Sequence, residues 1–378
     1  MTSSDLVLVL NAGSSSLKYQ VVREPGGDAL LRGVVERLGP DGLPAALDEL
    51  TARLAGAGPV EDLTAIGHRV VHGGDRHTRP ELVDDALLES IEELSALAPL
   101  HNPPALDVLR RAIGAWPALP HVAVFDTAFF ADLPLTAATP AIDRDLAARA
   151  GIRRFGMHGT SHAWVAEQSA IHLGSTGGDL AVVTLHLGSG ASAAAIRNGR
   201  PLETSMGFTP LEGLVMGTRG GDLDPGILLH LLRLGWDADR IGDLLHHHSG
   251  LQGLSGTSDF RDLLGAVDNG DEAARSAYDV YCHRIRKYVG AYLAVLDGAD
   301  AVVFTGGVGE NVPRVRADAL AGLDRLGIEV DDHRNDHAGA GPATISTDRS
   351  RVTVLVVPTD EERAIARQVH ALLRGAQA

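Results

Sequence analysis

Leu6–Val22, LVLVLNAGSSSLKYQVV, decides the fold. Its first residues, Leu6 to Leu10, form an apolar run that reads as a buried strand. Asn11–Ser16 is small and polar and reads as a turn. Leu17, Tyr19 and Val21 then alternate with Lys18 and Gln20, the period of a second strand. A Gly/Ser turn crowded with backbone N–H groups and hydroxyls can cradle an anion. Lys18, just past the turn, adds a point charge. An ordinary surface hairpin would look the same, and the strand–loop–helix nucleotide loop ending in Gly-Lys-Ser/Thr is absent.

The layout returns at Ala181–Arg197, AVVTLHLGSGASAAAIR. Again an apolar strand meets a polar residue, His186, then a Gly/Ser turn and a strand of small residues. Asn11-Ala12-Gly13-Ser14 stands where His186-Leu187-Gly188-Ser189 stands. Two such hairpins in two halves imply a duplicated core. A dinucleotide-binding reading of Gly188-Ser189-Gly190 is poorer, because the third glycine is missing and strand-like residues follow.

The chain has 378 residues, enough for about two domains. Hydrophobic residues make up 44% and charged ones 22%, which supports a large core and excludes global disorder. The net charge of −16 argues against non-specific nucleic-acid binding and against an anionic membrane surface. A single cysteine, Cys282, rules out an internal disulfide framework and fits a reducing compartment. No signal-peptide pattern and no 18-residue apolar run are seen, so the expected setting is the cytoplasm.

Further strands are expected at Leu30–Leu38, Ala65–Val71, His121–Phe125, Ala301–Phe304 and Val352–Val357. Helices are expected at Ala45–Leu54, Leu82–Leu97, Ala105–Ile113, Ala163–Ile171 with Ser161 as cap, Ile227–Leu234, Arg240–His247 and Ala273–Leu296. Pro103 and Pro104 are expected to break regular structure, and Gly250–Ser258 and Thr305–Asn311 to be turns. Thr204–Asp224 lacks periodicity, and so long an irregular stretch in a compact domain is usually functional. The reading is α/β, with Gly turns at strand ends and a boundary near Ala131–Thr139.

Three Gly-rich turns follow apolar strands, at Asn11–Ser16, Gly188–Ser192 and Gly306–Asn311, and together favour polyphosphate binding. Arg69 ends a strand beside Gly73-Gly74, and Arg219 lies in Gly217-Thr218-Arg219-Gly220-Gly221. Arginine among glycines can reach phosphate with its planar fork. His158 can donate to developing phosphoryl charge. Asp126 ends a buried strand and Glu361 opens a helix; either could serve magnesium, although acids in a first helical turn also complement the helix dipole. His246–His248 is read as a solvated helix end, not a metal tract.

These segments resemble the acetate kinase (acetokinase) family almost end to end. The match runs through NAGSSSLK at 11–18, GHRVVHGG at 67–74, PLHNPP at 99–104, VFDTAF at 124–129, HGTSH at 158–162, SMGFTPLEGLVMGTRGGDLDP at 205–225, SDFRD at 258–262, FTGGVGEN at 304–311 and PTDEE at 358–362. The resemblance implies two duplicated actin-like (ribonuclease H-like) domains of mixed sheets flanked by helices. Their expected extents are 1–130 plus about 364–378, and 131–363, with the active site in the cleft between them. It implies reversible transfer from ATP to acetate, giving acetyl phosphate and ADP, with Mg2+ (Mn2+ able to substitute), in a cytoplasmic homodimer serving acetyl-CoA biosynthesis. By position, Asn11 and Glu361 would hold the metal; Asp126, His158 and Arg219 would be catalytic. Arg69, Val71, Leu100 and Pro210 would bind acetate. Lys18, His186, Leu187, Gly188, Ser189, Gly190, Asp259, Phe260, Arg261, Gly307, Val308, Gly309, Glu310 and Asn311 would meet the nucleotide.

Three positions depart from the family pattern: Ser189 and Asp360 where Asn is usual, and Met157 where Phe is usual beside the acetate pocket. Methionine is adaptable, so looser size discrimination is expected. The alternatives are a propionate or butyrate kinase, a pyrophosphate-dependent acetate kinase, and a non-catalytic ATP-binding switch. A switch would not need Arg69, Arg219 and His158 together.

Overall fold

A computed structural model describes residues 5–12, 16–36, 50, 53, 62–175 and 178–375. All of the expected helix Ala45–Leu54 except Leu50 and Arg53, and residues 13–15 of the expected turn Asn11–Ser16, lie outside these residues; Asn11, Ala12 and Ser16 belong to strands. The chain divides into two units: 1–131 with 157–161 and 360–378, and 132–156 with 162–359.

The first unit is built on a six-stranded sheet. Its strands are β1 (Asp5–Ala12), β2 (Ser16–Glu24), β3 (Asp28–Glu36), β4 (Leu63–Val70), β5 (Glu81–Leu82) and β6 (His121–Phe125). Their order is β3-β2-β1-β4-β6-β5. The β1–β2 and β2–β3 pairs are antiparallel, β1–β4 and β4–β6 parallel, and β5–β6 antiparallel. The unbroken apolar run of β1 follows from burial on both faces. Leu6, Leu8 and Leu10 pack with Ala105, Val108 and Ala112 of helix Asn102–Ala115. Val7 and Val9 point the other way, onto Ile365, Ala366 and Val369 of helix Glu361–Gly375. Two helices thus sandwich the sheet.

The second unit repeats the plan with β7 (Ala181–Leu187), β8 (Ala191–Arg197), β9 (Arg200–Thr204), β10 (Ala301–Thr305), β11 (Ala343–Thr344) and β12 (Thr353–Val356). The order β9-β8-β7-β10-β12-β11 has the same sequence of parallel and antiparallel pairs. Strand for strand, this is the duplication that the two hairpins announced. Asn11 and His186 are each the last residue but one of the matching strands β1 and β7. Helix Glu272–Val295 lies along β7, β8 and β9 and buries Tyr281, Ile285, Val289 and Tyr292. Cys282 is buried there as a packing residue.

Local readings need four corrections. Pro103 and Pro104 do not break structure; they occupy the first turn of helix Asn102–Ala115, where their missing N–H groups would have had no partner anyway. The helix expected from Ala163 begins at Gly159, so Ser161 is not its cap but a fully buried interior residue. Gly306–Asn311 is a helix rather than a loop, and a short helix, Gly250–Ser255, occupies most of the turn expected at Gly250–Ser258. Glycine-rich runs were mistaken for loops because glycine marks permissive backbone, and here the close approach of neighbouring backbone requires it. A Cβ on Gly306, which also has a φ of 78°, would lie 2.7 Å from the Leu187 carbonyl oxygen.

Candidate active site

In the first unit, Arg69 near the end of β4 is the hub. Its Nε donates to Asp126 Oδ2 at 3.0 Å, its Nη2 donates to the same oxygen, and its Nη1 donates to Asn11 Oδ1 at 3.2 Å. Glu361 Oε2 is 3.9 Å from Arg69 Nε. Burial alone would lower the pKa of Arg69, but the charges of Asp126 and then Glu361 outweigh it, and the guanidinium is held more firmly charged than usual. Asp126 is fully buried, and its other oxygen, Oδ1, accepts from Thr160 Oγ1 at 3.0 Å. Asn11 Nδ2 donates to Glu361 Oε2 at 3.0 Å and to Glu362 Oε1 at 2.8 Å. Burial, then the adjacent Glu361 charge, raises the Glu362 carboxyl above the usual range, against the pull of the Asn11 hydrogen bond.

His158 precedes helix Gly159–His172 with a left-handed φ of 56°, uncommon for a residue with a side chain. Lys18 is exposed and pairs in register with Asn11 across the β1–β2 ladder. Val71 and Met157 are buried and Leu100 is half-buried, all in the first unit.

The second unit gathers the other segments at the ends of β7 and β10. Gly217 N donates to the Ser189 carbonyl at 2.9 Å, tying the Gly188–Gly190 turn to the segment that carries Arg219. A Cβ on Gly217 would lie 3.5 Å from Ser258 Cβ, at the start of SDFRD. The helix Gly306–Asn311 begins against Leu187. His186 is half-buried and Ser189 exposed.

Arg219 is 7% exposed, and its recorded protein partner is neutral: Nη1 donates to the Pro210 carbonyl at 2.8 Å. Among the described residues it has no ion pair, and burial pushes its pKa down to about 10. A buried guanidinium without a carboxylate is costly unless an anion joins it. Pro210, expected in the acetate pocket, is buried in this unit.

Several expected nucleotide residues have work inside the protein. Asp259 caps helix Phe260–Asp268 by accepting from Arg261 N at 2.8 Å, and it pairs with Arg261 Nη2 at 2.6 Å. Those Arg261 hydrogen bonds bring the Asp259 carboxyl down to about 2. Phe260 packs on Tyr281 and Tyr278 at 5.2 and 6.3 Å. Glu310 Oε1 accepts from Gly306 N at 2.9 Å and Thr359 N at 3.1 Å. Val308 and Gly309 are buried, whereas Gly307 and Asn311 are exposed.

Sequence reasoning missed Thr160 and Arg316. Arg316 is 1% exposed and donates to the carbonyls of Gly309 at 2.9 Å and Glu310 at 2.8 Å, closing the C-terminal end of helix Gly306–Asn311. A lone arginine in a helix carries no pattern that separates this role from solvent exposure.

Chemically, the first unit offers an arginine pinned by a carboxylate beside oxygen donors, and the second a buried arginine that donates to a carbonyl. The acetokinase family model matches residues 41–367. A solved acetate kinase from Porphyromonas gingivalis is 40% identical, covering 98% of this chain and 100% of its own, with a TM-score of 0.88. A propionate kinase from Francisella tularensis subsp. tularensis SCHU S4 is 36% identical over 96% of this chain and 98% of its own, with a TM-score of 0.90. An acetate kinase from Entamoeba histolytica is 29% identical over 97% and 99%, with a TM-score of 0.85.

Proposed function

We propose that this chain, a kinase that belongs to the acetokinase family, moves the terminal phosphoryl group of ATP reversibly onto acetate. The buried Arg219, with no carboxylate partner among the described residues, carries the reading, because a transferring phosphoryl group supplies the missing anion. Phosphoryl transfer asks for in-line positioning and neutralised equatorial oxygens more than for covalent help. Arg219 and His158 supply that neutralisation, and Arg69 binds the carboxylate end of the acceptor. Acetate at neutral pH has no proton to remove, and both oxygens of Asp126 are engaged, so Asp126 orients Arg69 rather than acting as a base.

Among the described residues no group of three or more His, Cys, Asp or Glu side chains is arranged to hold a metal. Magnesium needs only one or two carboxylates beside phosphate oxygens. Asn11 and Glu361 fit it: each brings a side-chain oxygen, a hard donor, and the two side chains meet at 3.0 Å. When bound, the ion shields charge on the phosphate oxygens.

Propionate is the second acceptor reading, favoured by the buried Met157 at a pocket position where the family usually has Phe. Assembly as a homodimer has a candidate surface. Helix Pro225–Arg233 buries none of its residues, and Ile227, Leu229 and Leu232 are exposed along it. A monomer mass by sedimentation at micromolar concentration would contradict the dimer.

Arg219→Ala tests the core of the proposal. Turnover is expected to fall about 100- to 1,000-fold. Thermal stability is expected to hold or rise, since a buried charge with no ion pair among the described residues is removed. Retained turnover would refute the role.

A further inference from the structure

Asn102 is fully buried, and its amide is spent on the backbone of one other residue. Its Oδ1 accepts from His72 N at 3.1 Å, and its Nδ2 donates to the His72 carbonyl at 3.0 Å. The side chain therefore reads both polar groups of a single peptide residue 30 positions away. Asn102 is the first residue of its helix, but both polar atoms of its amide are engaged by His72, so the amide is not serving the helix.

The two segments joined in this way are the first unit's acyl-pocket segments. Val71 immediately precedes His72, and Leu100 lies two residues before Asn102. The loop after Val71 is fixed from other sides as well. Gly73 N donates to Thr127 Oγ1 at 2.9 Å, and Gly74 N donates to His72 Nδ1 at 3.1 Å. His77 N donates to the Gly73 carbonyl at 3.0 Å, and a Cβ on Gly73 would lie 2.6 Å from the His77 carbonyl oxygen, so only glycine fits this close approach. On the other side, Pro103 and Pro104 stiffen the helix start that carries Asn102.

We propose that Asn102 is a specificity-determining positioning residue: its reciprocal bond to the His72 backbone fixes the separation of Val71 and Leu100 and so limits acyl chain length. The inference rests on the reading of Val71 and Leu100 as pocket residues. It places size discrimination in the backbone clamp as well as in the side chain at Met157. A pocket distinguishes one methylene by about 10- to 200-fold when its walls hold still, and by less when they yield.

The test compares kcat/KM for acetate and propionate, with ATP saturating, in the wild type, Asn102→Ala and Thr127→Val. Thr127→Val keeps the side-chain shape and removes only the acceptor for Gly73 N. Asn102→Ala is expected to raise the propionate-to-acetate ratio about ten-fold, with KM for ATP unchanged. Thr127→Val is expected to shift the ratio the same way, by less. An equal loss with both acids, or an unchanged ratio, would reduce Asn102 to a structural residue and overturn the proposal. If Asn102→Ala does not fold, an unchanged ratio in Thr127→Val overturns it alone. A wild type that phosphorylates neither acid would refute the pocket reading itself, and the proposal with it.

Discussion

Both carboxylate oxygens of Asp126 are engaged within the protein: Thr160 holds one and Arg69 the other. Asp126→Asn should therefore keep the shape but weaken the hold on Arg69, and turnover is expected to fall at least ~10-fold, as when a positioning group is lost. Near-normal turnover would remove even the orienting role. A second residue-scale consequence concerns acid. The Trp116 carbonyl can only accept, so His121 Nε2 carries a hydrogen and His121 Nδ1 must accept from His68 Nε2, 2.9 Å away. His68 is 2% exposed, and burial, then His121, pushes its pKa down to about 3. The unfolded ring titrates near 6.5, so the unfolded chain binds the proton that the folded one refuses. Stability contributed by neutral His68 is thus present above pH ~6.5 and is lost on acidification, by up to about 1.4 kcal/mol per pH unit. Denaturant titrations from pH 7 to 4 should show a shallower loss in His68→Gln; an unchanged slope would contradict the assignment.

Among the elements, helix Gly159–His172 begins in close contact with the short turn Asp126–Phe130. A Cβ on Gly159 would lie 1.9 Å from the Asp126 carbonyl oxygen, a backbone atom that cannot rotate aside. Gly159→Ala is therefore expected to shift Asp126 and His158 together, lowering turnover ~10-fold or more and the melting temperature by several degrees. Wild-type kinetics in this variant would show that the junction is not rigid. Elements of this kind were only partly legible in the sequence. The alternation Leu6/Leu8/Leu10 against Val7/Val9 is hidden in an unbroken apolar run, so strand was readable but its two faces were not. Pro103–Pro104 and Gly306–Asn311 were misread because proline and glycine mark both helix starts and loops, and tertiary contact decides between them.

For the molecule as a whole, the duplication was legible because two hairpins share one pattern, and both sheets share one strand order. The meeting of side chains was legible where motifs are contiguous: Arg69, Asp126, Asn11 and Glu361, each from its own motif, do come together in the first unit. It was not legible where a single side chain acts across the fold, as with Asn102, Thr160 and Arg316, since one polar residue in a helix has no periodic signature. Nor could sequence reveal that Arg219 is buried without a carboxylate among the described residues, the feature on which the proposed reaction turns. The most direct measurement is acyl phosphate formation, trapped with hydroxylamine, from ATP, magnesium and acetate, propionate, butyrate or glycerol in turn. The account expects trapped product with acetate highest, a measurable propionate signal and none with glycerol. No acyl phosphate with any of the acids would contradict it.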